Sequence, residues 1–181
     1  MAYRLSPLQP PYAPEIERAL AAYPQRGGVL LSLFRTFANS LRFLRKGVAN
    51  LLDDQSPLTL RQREIVILRV TARCGCEYEW GVHVAAFAKQ AGLGQAAIAA
   101  THAQGAAAGC WSPDERLLLT AVDELFDAAR LSEETRLLFE QNFTLEQQLE
   151  IIALCGNYHT ICYVANVAGL TPEPFAARFP V

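Results

Sequence analysis

The sequence lacks several features that would point to particular classes of protein. No uninterrupted apolar run is long enough to span a bilayer, and the proline-rich first 14 residues lack the apolar core of a secretory signal. Basic residues are not in excess, because 16 Lys and Arg stand against 18 Asp and Glu, for a net charge of −2. These absences predict a cytoplasmic protein with no electrostatic reason to bind nucleic acid or an anionic membrane.

Cysteine is scarce and irregularly spaced. The five cysteines are an odd number, in a chain long enough to bury a sizeable core without covalent staples. We therefore expect reduced thiols, which suits a cytoplasmic protein. The sequence also lacks the second pair of Cys or His residues that would complete a structural zinc site, so we expect no bound metal.

The composition is typical of one globular domain, here residues 1–181, since 51% of the residues are hydrophobic and 19% are charged. Helix signals dominate, with no convincing alternating strand or hairpin turn, and they predict an all-α, multi-helix fold. Proline-rich ends predict extended N- and C-terminal arms, the second (171–181) lying over a neighbour. The predicted helices cover residues 15–23, 29–37, 40–52, 60–72, 76–91, 95–102, 113–129, a helix that opens at 132, and 144–168.

One segment, residues 74–83, concentrates reactive side chains. On a helix that begins at Cys76, the side chains of Cys76, Glu79 and His83 share one face. Glu64 interrupts an apolar helix twelve positions before Cys76. A thiol, a carboxylate and an imidazole together supply nucleophilic or acid–base chemistry. We therefore select Glu64, Cys76, Glu79 and His83 as candidate catalytic residues.

Structural explanations of the same residues stay open. A cysteine in an apolar helical protein is usually a small core residue, and a lone histidine on an apolar face is usually a satisfied core residue. Cys76 differs because a helix N-terminus favours its thiolate, and His83 differs because Glu79 lies one turn before it. Cys74 is a possible redox partner of Cys76, although a disulfide across one intervening residue would be strained.

Four aromatic or imidazole side chains are candidates for lining a pocket, with core packing as the alternative for each. They are Tyr78, Trp80, Tyr158 and His159. A weak internal repeat at an offset of 86 residues also pairs Glu64 with Glu150 and Cys76 with Cys162, although the second copy has no equivalent of the histidine.

Together, residues 64–68, 76–79, 83 and 91–93 resemble the carboxymuconolactone decarboxylase-like superfamily, which includes the alkylhydroperoxidase D-like proteins. The strongest match covers residues 60–93, and a looser one continues through 121–125, 156–159 and 178–180. The resemblance implies a helical bundle of the alkylhydroperoxidase D-like type. It also implies a homo-oligomer (dimer, trimer or hexamer) with active sites near subunit contacts and no organic cofactor.

One position departs from the peroxidase branch of that superfamily, whose motif is a glutamate, a C-x-x-C pair and a histidine. Glu64, Cys76 and His83 match this motif. The second cysteine, which attacks peroxide in that branch, falls on Glu79. The departure favours acid–base chemistry over peroxide reduction by a pair of cysteines.

Three hypotheses follow for the function. In the first, Glu79 and His83 transfer protons on a small carboxylated or lactone substrate, in a decarboxylation or related lyase reaction, while Glu64 tunes them and Cys76 shapes the pocket. In the second, Cys76 reduces peroxides through a sulfenic acid that Cys74 or an external thiol resolves. In the third, the chain is a non-catalytic binding or assembly protein.

Overall fold

The computed structural model describes residues 5–180, so the first four residues of the predicted N-terminal arm and the last residue of the chain lie outside the described part. Nine α-helices, one 3-10 turn and one short hairpin occur within residues 5–180, and the predicted all-α fold is confirmed. The elements are α1 (Pro14–Leu20), β1 (Gln25–Arg26), β2 (Val29–Leu30), α2 (Ser32–Phe37), α3 (Leu41–Lys46), α4 (Leu60–Arg73), α5 (Glu77–Phe87), α6 (Gln95–His102), the 3-10 turn Gly105–Ala107, α7 (Pro113–Ala128), α8 (Glu133–Asn142) and α9 (Leu145–Val167).

Capping boxes define the start of the three longest helices. In each box the side chain of the N-cap Ser or Thr accepts a hydrogen bond from the backbone N–H of the third helical residue. The side chain of that third residue, a Glu or Gln, accepts a hydrogen bond from the backbone N–H of the N-cap. The predicted starts of α7 at Ser112 and of α9 at Thr144 are confirmed. Thr59 is the capping residue of α4.

Two predictions near the N-terminus are wrong. Strands β1 and β2 form a hairpin around Gly27 and Gly28, whose φ angles of 59° and 77° suit a tight turn that needs φ > 0 at both positions. The second predicted helix therefore begins only at Ser32. The predicted helix 40–52 ends at Lys46, because the side chains of Asn50 and Asp53 bind backbone N–H groups two residues ahead and stabilise turns instead.

Helix α4 lies at the centre of the fold and packs against α5, α6, α7 and α9. Every residue from Arg63 to Thr71 is buried. Three of these buried residues are charged (Arg63, Glu64 and Arg69), so each needs a partner inside the protein. The position of α4 explains why Glu64 is fully buried rather than on a solvated face.

The C-terminal arm packs on α5 of its own chain, and its predicted contact with a neighbour stays a prediction. Its Ala177 N–H donates to the Gly81 carbonyl at 3.0 Å. The Phe179 ring lies 5.2 Å from the Trp80 ring and 4.2 Å from the His102 ring, measured between centroids. Gly81 makes this close approach possible, because a Cβ there would lie 2.1 Å from the Ala177 carbonyl oxygen.

The Gly81→Ala variant is expected to displace the C-terminal arm and to lower the free energy of unfolding by about 1–3 kcal/mol, since the clash is with backbone. Loss of the arm uncovers Trp80, which is 1% exposed, so its fluorescence should shift to longer wavelength. Gly156→Ala is the control, because a Cβ at Gly156 meets nothing within 4 Å. Identical spectra and stabilities for Gly81→Ala and the wild type would contradict the prediction.

Helix α9 exposes a row of large apolar side chains that recur every three to four residues along most of its length, apart from one gap. They are Leu145, Leu149, Ile152, Tyr163 and Val167, between 47% and 78% exposed. Across residues 5–180, no helix combines the length and the apolar character needed to cross a membrane. The homo-oligomer and the cytoplasmic location stay predictions.

Candidate functional site

His83 is the centre of the candidate site, and three helices bring its partners together. From α4, the Glu64 Oε2 atom lies 2.8 Å from His83 Nδ1. From α9, the Tyr158 hydroxyl lies 2.9 Å from His83 Nε2. Glu64, His83 and Tyr158 are 0%, 3% and 4% exposed, so both ring nitrogens are bound out of contact with bulk water.

Glu79 approaches the same imidazole from one turn earlier on α5, as the helical spacing predicts. Its Oε1 atom lies 3.6 Å from His83 Nε2, an ion-pair distance too long for a strong hydrogen bond. Its Oε2 atom is buried without a hydrogen-bond partner. A buried carboxylate oxygen left unbound is costly, so Glu79 has unused capacity to bind or move a proton at this site.

Arg63 is a charged member of the site that sequence analysis missed. It precedes Glu64 on α4, and its Nε atom lies 3.5 Å from Glu64 Oε1. Neither of these two atoms has a hydrogen-bond partner, while Arg63 Nη1 donates to the Asp53 carbonyl at 3.3 Å. The buried guanidinium offsets part of the negative charge of Glu64 and Glu79. The available signal was a basic residue directly before an acidic one, at the start of the apolar run of residues 65–68.

The surroundings of His83 favour its charged form. Burial alone would lower the pKa of the imidazole, but the Glu64 carboxylate at Nδ1, together with Glu79, outweighs burial and raises the pKa to about 9. Burial and the two carboxylates raise the pKa of Tyr158 well above its usual value, so its phenol stays protonated. At neutral pH, an imidazolium therefore donates to Glu64 through Nδ1 and to the Tyr158 oxygen through Nε2.

The two cysteines of the motif lie near this cluster in sequence but are not bound to it. Cys76 is the fully buried N-cap of α5, and within residues 5–180 no hydrogen bond joins its thiol to Glu79 or His83. Cys74 is half-buried at the end of α4. The Cys74 and Cys76 thiols, together with burial, raise the pKa of the buried Cys162 thiol on α9.

Of the four predicted pocket residues, Tyr158 binds His83 directly and the others make different hydrogen bonds. The Tyr78 hydroxyl donates to Glu173 Oε1 at 2.7 Å, and Trp80 Nε1 donates to Thr101 Oγ1 at 3.0 Å. His159 Nδ1 lies 2.9 Å from the Cys155 carbonyl oxygen.

Two surface cavities open beside these aromatic residues. A cavity of about 310 Å³ includes Tyr78, and one of about 370 Å³ includes Trp80. Both lie against the C-terminal segment of the chain, which contributes Pro172 to the first and Arg178 to the second.

Comparison with known proteins agrees with the family resemblance. The sequence model of the carboxymuconolactone decarboxylase family matches residues 39–124. A crystal structure of an uncharacterised peroxidase-related protein from Silicibacter sp. TM1040 is 17% identical, with a TM-score of 0.78 over 99% of this chain and 98% of the other. A complex of a cysteine-to-alanine variant of the debrominase Bmp8 with 2,3,4-tribromopyrrole is 16% identical, with a TM-score of 0.78 over 97% and 94%.

The apo form of Bmp8 is also similar, at 16% identity and a TM-score of 0.69 over 95% of this chain and 93% of the other. No curated protein matches the sequence. At these identities the structures show a shared fold, and the predicted superfamily resemblance is confirmed.

Proposed function

We propose that this chain, whose residues 39–124 match the carboxymuconolactone decarboxylase family, is an enzyme that moves protons on a small carboxylated or lactone substrate. The observation that carries the proposal is the imidazole of His83, held between Glu64 and Tyr158 with an unbound Glu79 oxygen beside it. Such an arrangement supplies a proton donor and a proton acceptor in one buried place. Glu79, the position that departs from the redox motif, therefore keeps spare hydrogen-bonding capacity beside His83.

Glu64 and Arg63 act through His83 rather than on a substrate. Glu64 binds Nδ1, which fixes the ring orientation and keeps the imidazole protonated at neutral pH. Arg63 lies on the far side of Glu64 and balances its charge. The Nε2–H bond of His83 consequently points away from this pair, toward Tyr158 and Glu79.

A decarboxylation at this site needs one proton delivered to carbon. The bond between the α-carbon and the carboxylate breaks, carbon dioxide leaves, and the electron pair stays on the substrate as an enolate. The positive charge of the His83 imidazolium stabilises that enolate in a buried setting. A proton from His83 Nε2, passed directly or through Glu79 Oε2, then forms the new C–H bond.

The His83→Gln variant is expected to lower kcat on a lactone acid substrate by about 100-fold, because the proton donor is lost. The measurement is the turnover of a panel of small lactone acids, monitored as the release of carbon dioxide. Glu79→Gln should also lower kcat. His102→Gln is the matched control, since His102 packs against Trp80 and Phe179 and should keep wild-type turnover. Equal activity of His83→Gln and the wild type would remove His83 from the mechanism.

Peroxide reduction through Cys76 is the second candidate. Its support is the shared fold with a peroxidase-related protein and with a debrominase studied as a cysteine-to-alanine variant. Against it, Cys76 is fully buried. Peroxide consumption with a thiol reductant that is lost in Cys76→Ser but kept in Cys74→Ser would favour this candidate.

A further inference from the structure

The outer face of α9 is the largest row of exposed apolar side chains on one helix within residues 5–180. Leu145, Leu149 and Ile152 lie toward the N-terminus of this 23-residue helix, and Tyr163 and Val167 lie toward its C-terminus. These five side chains are between 47% and 78% exposed. A contiguous apolar patch of this extent on a folded protein marks an interaction site.

Small residues fill the gap in the middle of this row. Ala153 and Gly156 are both exposed, and a Cβ at Gly156 would meet nothing within 4 Å. Glycine weakens a helix interior, so its presence calls for a packing reason. Gly81 has one, because the C-terminal arm lies against it, whereas the chain itself places nothing against Gly156. A helix from a second molecule that approaches most closely at Gly156 supplies the missing reason.

The row is symmetric about Gly156. Leu149 lies seven positions before Gly156, and Tyr163 lies seven positions after it. Leu145 and Val167 lie eleven positions before and after it. Two copies of α9 that cross antiparallel at Gly156 therefore place Leu149 against Tyr163 of the partner subunit, and Leu145 against Val167 of the partner subunit. This self-complementarity is what a two-fold interface requires, since each copy offers the same patch.

Charge does not oppose this arrangement. Among Asp, Glu, Lys and Arg, α9 carries only Glu146 and Glu150. The Ser56 hydroxyl of the same chain donates to Glu150. Glu146 lies ten positions before Gly156, which puts it opposite position 166, an asparagine. Like charges consequently do not face each other across the two-fold axis.

The extent of the row also suits two copies of the chain. At the observed exposures, the five large side chains present on the order of 500 Å² per copy, so a pair of copies buries about 1,000 Å², the lower bound for a specific interface. A two-fold pair uses the whole row, because every large side chain on one side of Gly156 meets the other half of the row in the partner subunit.

We propose that the outer face of α9 is a homodimer interface in which two copies of the helix cross antiparallel at Gly156. Tyr158 lies two positions beyond Gly156, about 200° around the helix, and its hydroxyl lies beside His83 in the interior. The interface therefore supports the helix that carries Tyr158 without covering the candidate site. The inference does not rest on the proposed function, because the row and the site lie on opposite faces of α9.

The test is sedimentation equilibrium of the full-length chain, whose mass is 19.9 kDa. We expect the wild type to show twice this mass at about 100 µM, where an interface of micromolar affinity is filled. Leu149→Lys and Tyr163→Glu should each weaken dimerisation by about 100-fold, since each places an unpaired charge against an apolar side chain. Val29→Lys is the matched control, because Val29 is 46% exposed but lies on the hairpin, and it should leave the dimer intact.

A double variant tests the antiparallel register. Combining Leu149→Lys with Tyr163→Glu brings opposite charges together at two symmetric places, so dimerisation should recover by about tenfold relative to either single variant. A parallel pairing would bring like charges together and give no recovery. Gly156→Leu should also dissociate the dimer, while its far-UV circular dichroism stays that of the wild type, because a Cβ at Gly156 meets nothing in its own chain.

Four results would overturn the proposal. They are a wild-type mass of one chain or of three chains, a dimer that survives Leu149→Lys in full, a double variant that shows no recovery, and a dimer that Gly156→Leu leaves unchanged. Circular dichroism of each variant confirms that a lost dimer is not a lost fold, since all the substituted positions are exposed.

Discussion

Replacing Glu64 by Gln is expected to lower the pKa of His83 from about 9 to near or below its ordinary value of 6.5. Burial alone lowers the pKa of an imidazole, and the carboxylate at Nδ1 is the largest influence that opposes burial here. Glutamine keeps the size of the side chain and removes its charge. Glu79 remains beside Nε2 but, at 3.6 Å, without a strong hydrogen bond.

The measurement is the NMR titration of imidazole-labelled protein, in which the three histidines give three sets of signals. His102→Gln and His159→Gln assign them by removing one signal each. A pKa for His83 that stays above 8 in Glu64→Gln would show that Glu64 does not hold the charge. That result would also weaken the proton-transfer proposal, because His83 would then be tuned by another group.

The same shift has a consequence for stability. The pKa of His83 is raised in the folded state. Its contribution to the free energy of unfolding is therefore fully present below about pH 6.5 and is lost as pH rises through about 9. A shift from 6.5 to about 9 corresponds to roughly 3 kcal/mol of unfolding free energy. The wild type should therefore lose stability over this pH range relative to Glu64→Gln, in denaturant titrations at several pH values.

Local spacing was enough to predict part of the candidate site. Positions 79 and 83 face each other because both lie on one helix, and this is a property of sequence distance alone. The bond between Glu64 and His83, by contrast, depends on how α4 packs against α5, and the Tyr158 contact depends on α9.

The fold was predicted well where helices begin with strong caps. Helices α4, α7 and α9, which begin with capping boxes, follow the predicted bounds within two residues. The hairpin was missed because its strands are two residues long and only the Gly27-Gly28 turn marks it. The docking of the C-terminal arm on α5 was not predicted, because it depends on the missing side chain of Gly81, which sequence periodicity does not reveal.

The Arg69→Ala variant is expected to lower the free energy of unfolding by about 3–5 kcal/mol, which is a large share of the stability of a domain of this size. Arg69 is 6% exposed and binds both carboxylate oxygens of Asp123 on α7, at 2.7 and 2.9 Å. Its third hydrogen bond, at 2.9 Å, goes to the Thr101 carbonyl at the end of α6. Truncation leaves both partners without a donor and opens a cavity between three helices.

The comparison is made by denaturant unfolding with two further variants. Arg136→Ala removes an exposed ion pair with Glu140 within one helix and should cost less than about 0.5 kcal/mol. Arg69→Lys keeps the charge but not the paired geometry, so it should retain only part of the stability. A loss below about 1 kcal/mol for Arg69→Ala would mean that Arg73, 3.8 Å from Asp123, takes over the ion pair.

A double variant separates the cost of a broken pair from the contribution of the pair itself. Arg69→Met with Asp123→Leu removes both charges and keeps most of the volume, so it should be more stable than Arg69→Ala. The Thr101 carbonyl still loses its donor, which keeps the double variant below the wild type by about 1–3 kcal/mol. If the double variant is no more stable than Arg69→Ala, packing rather than the unpaired carboxylate dominates the loss. Arg69 would then hold α4, α6 and α7 together mainly as a space-filling side chain.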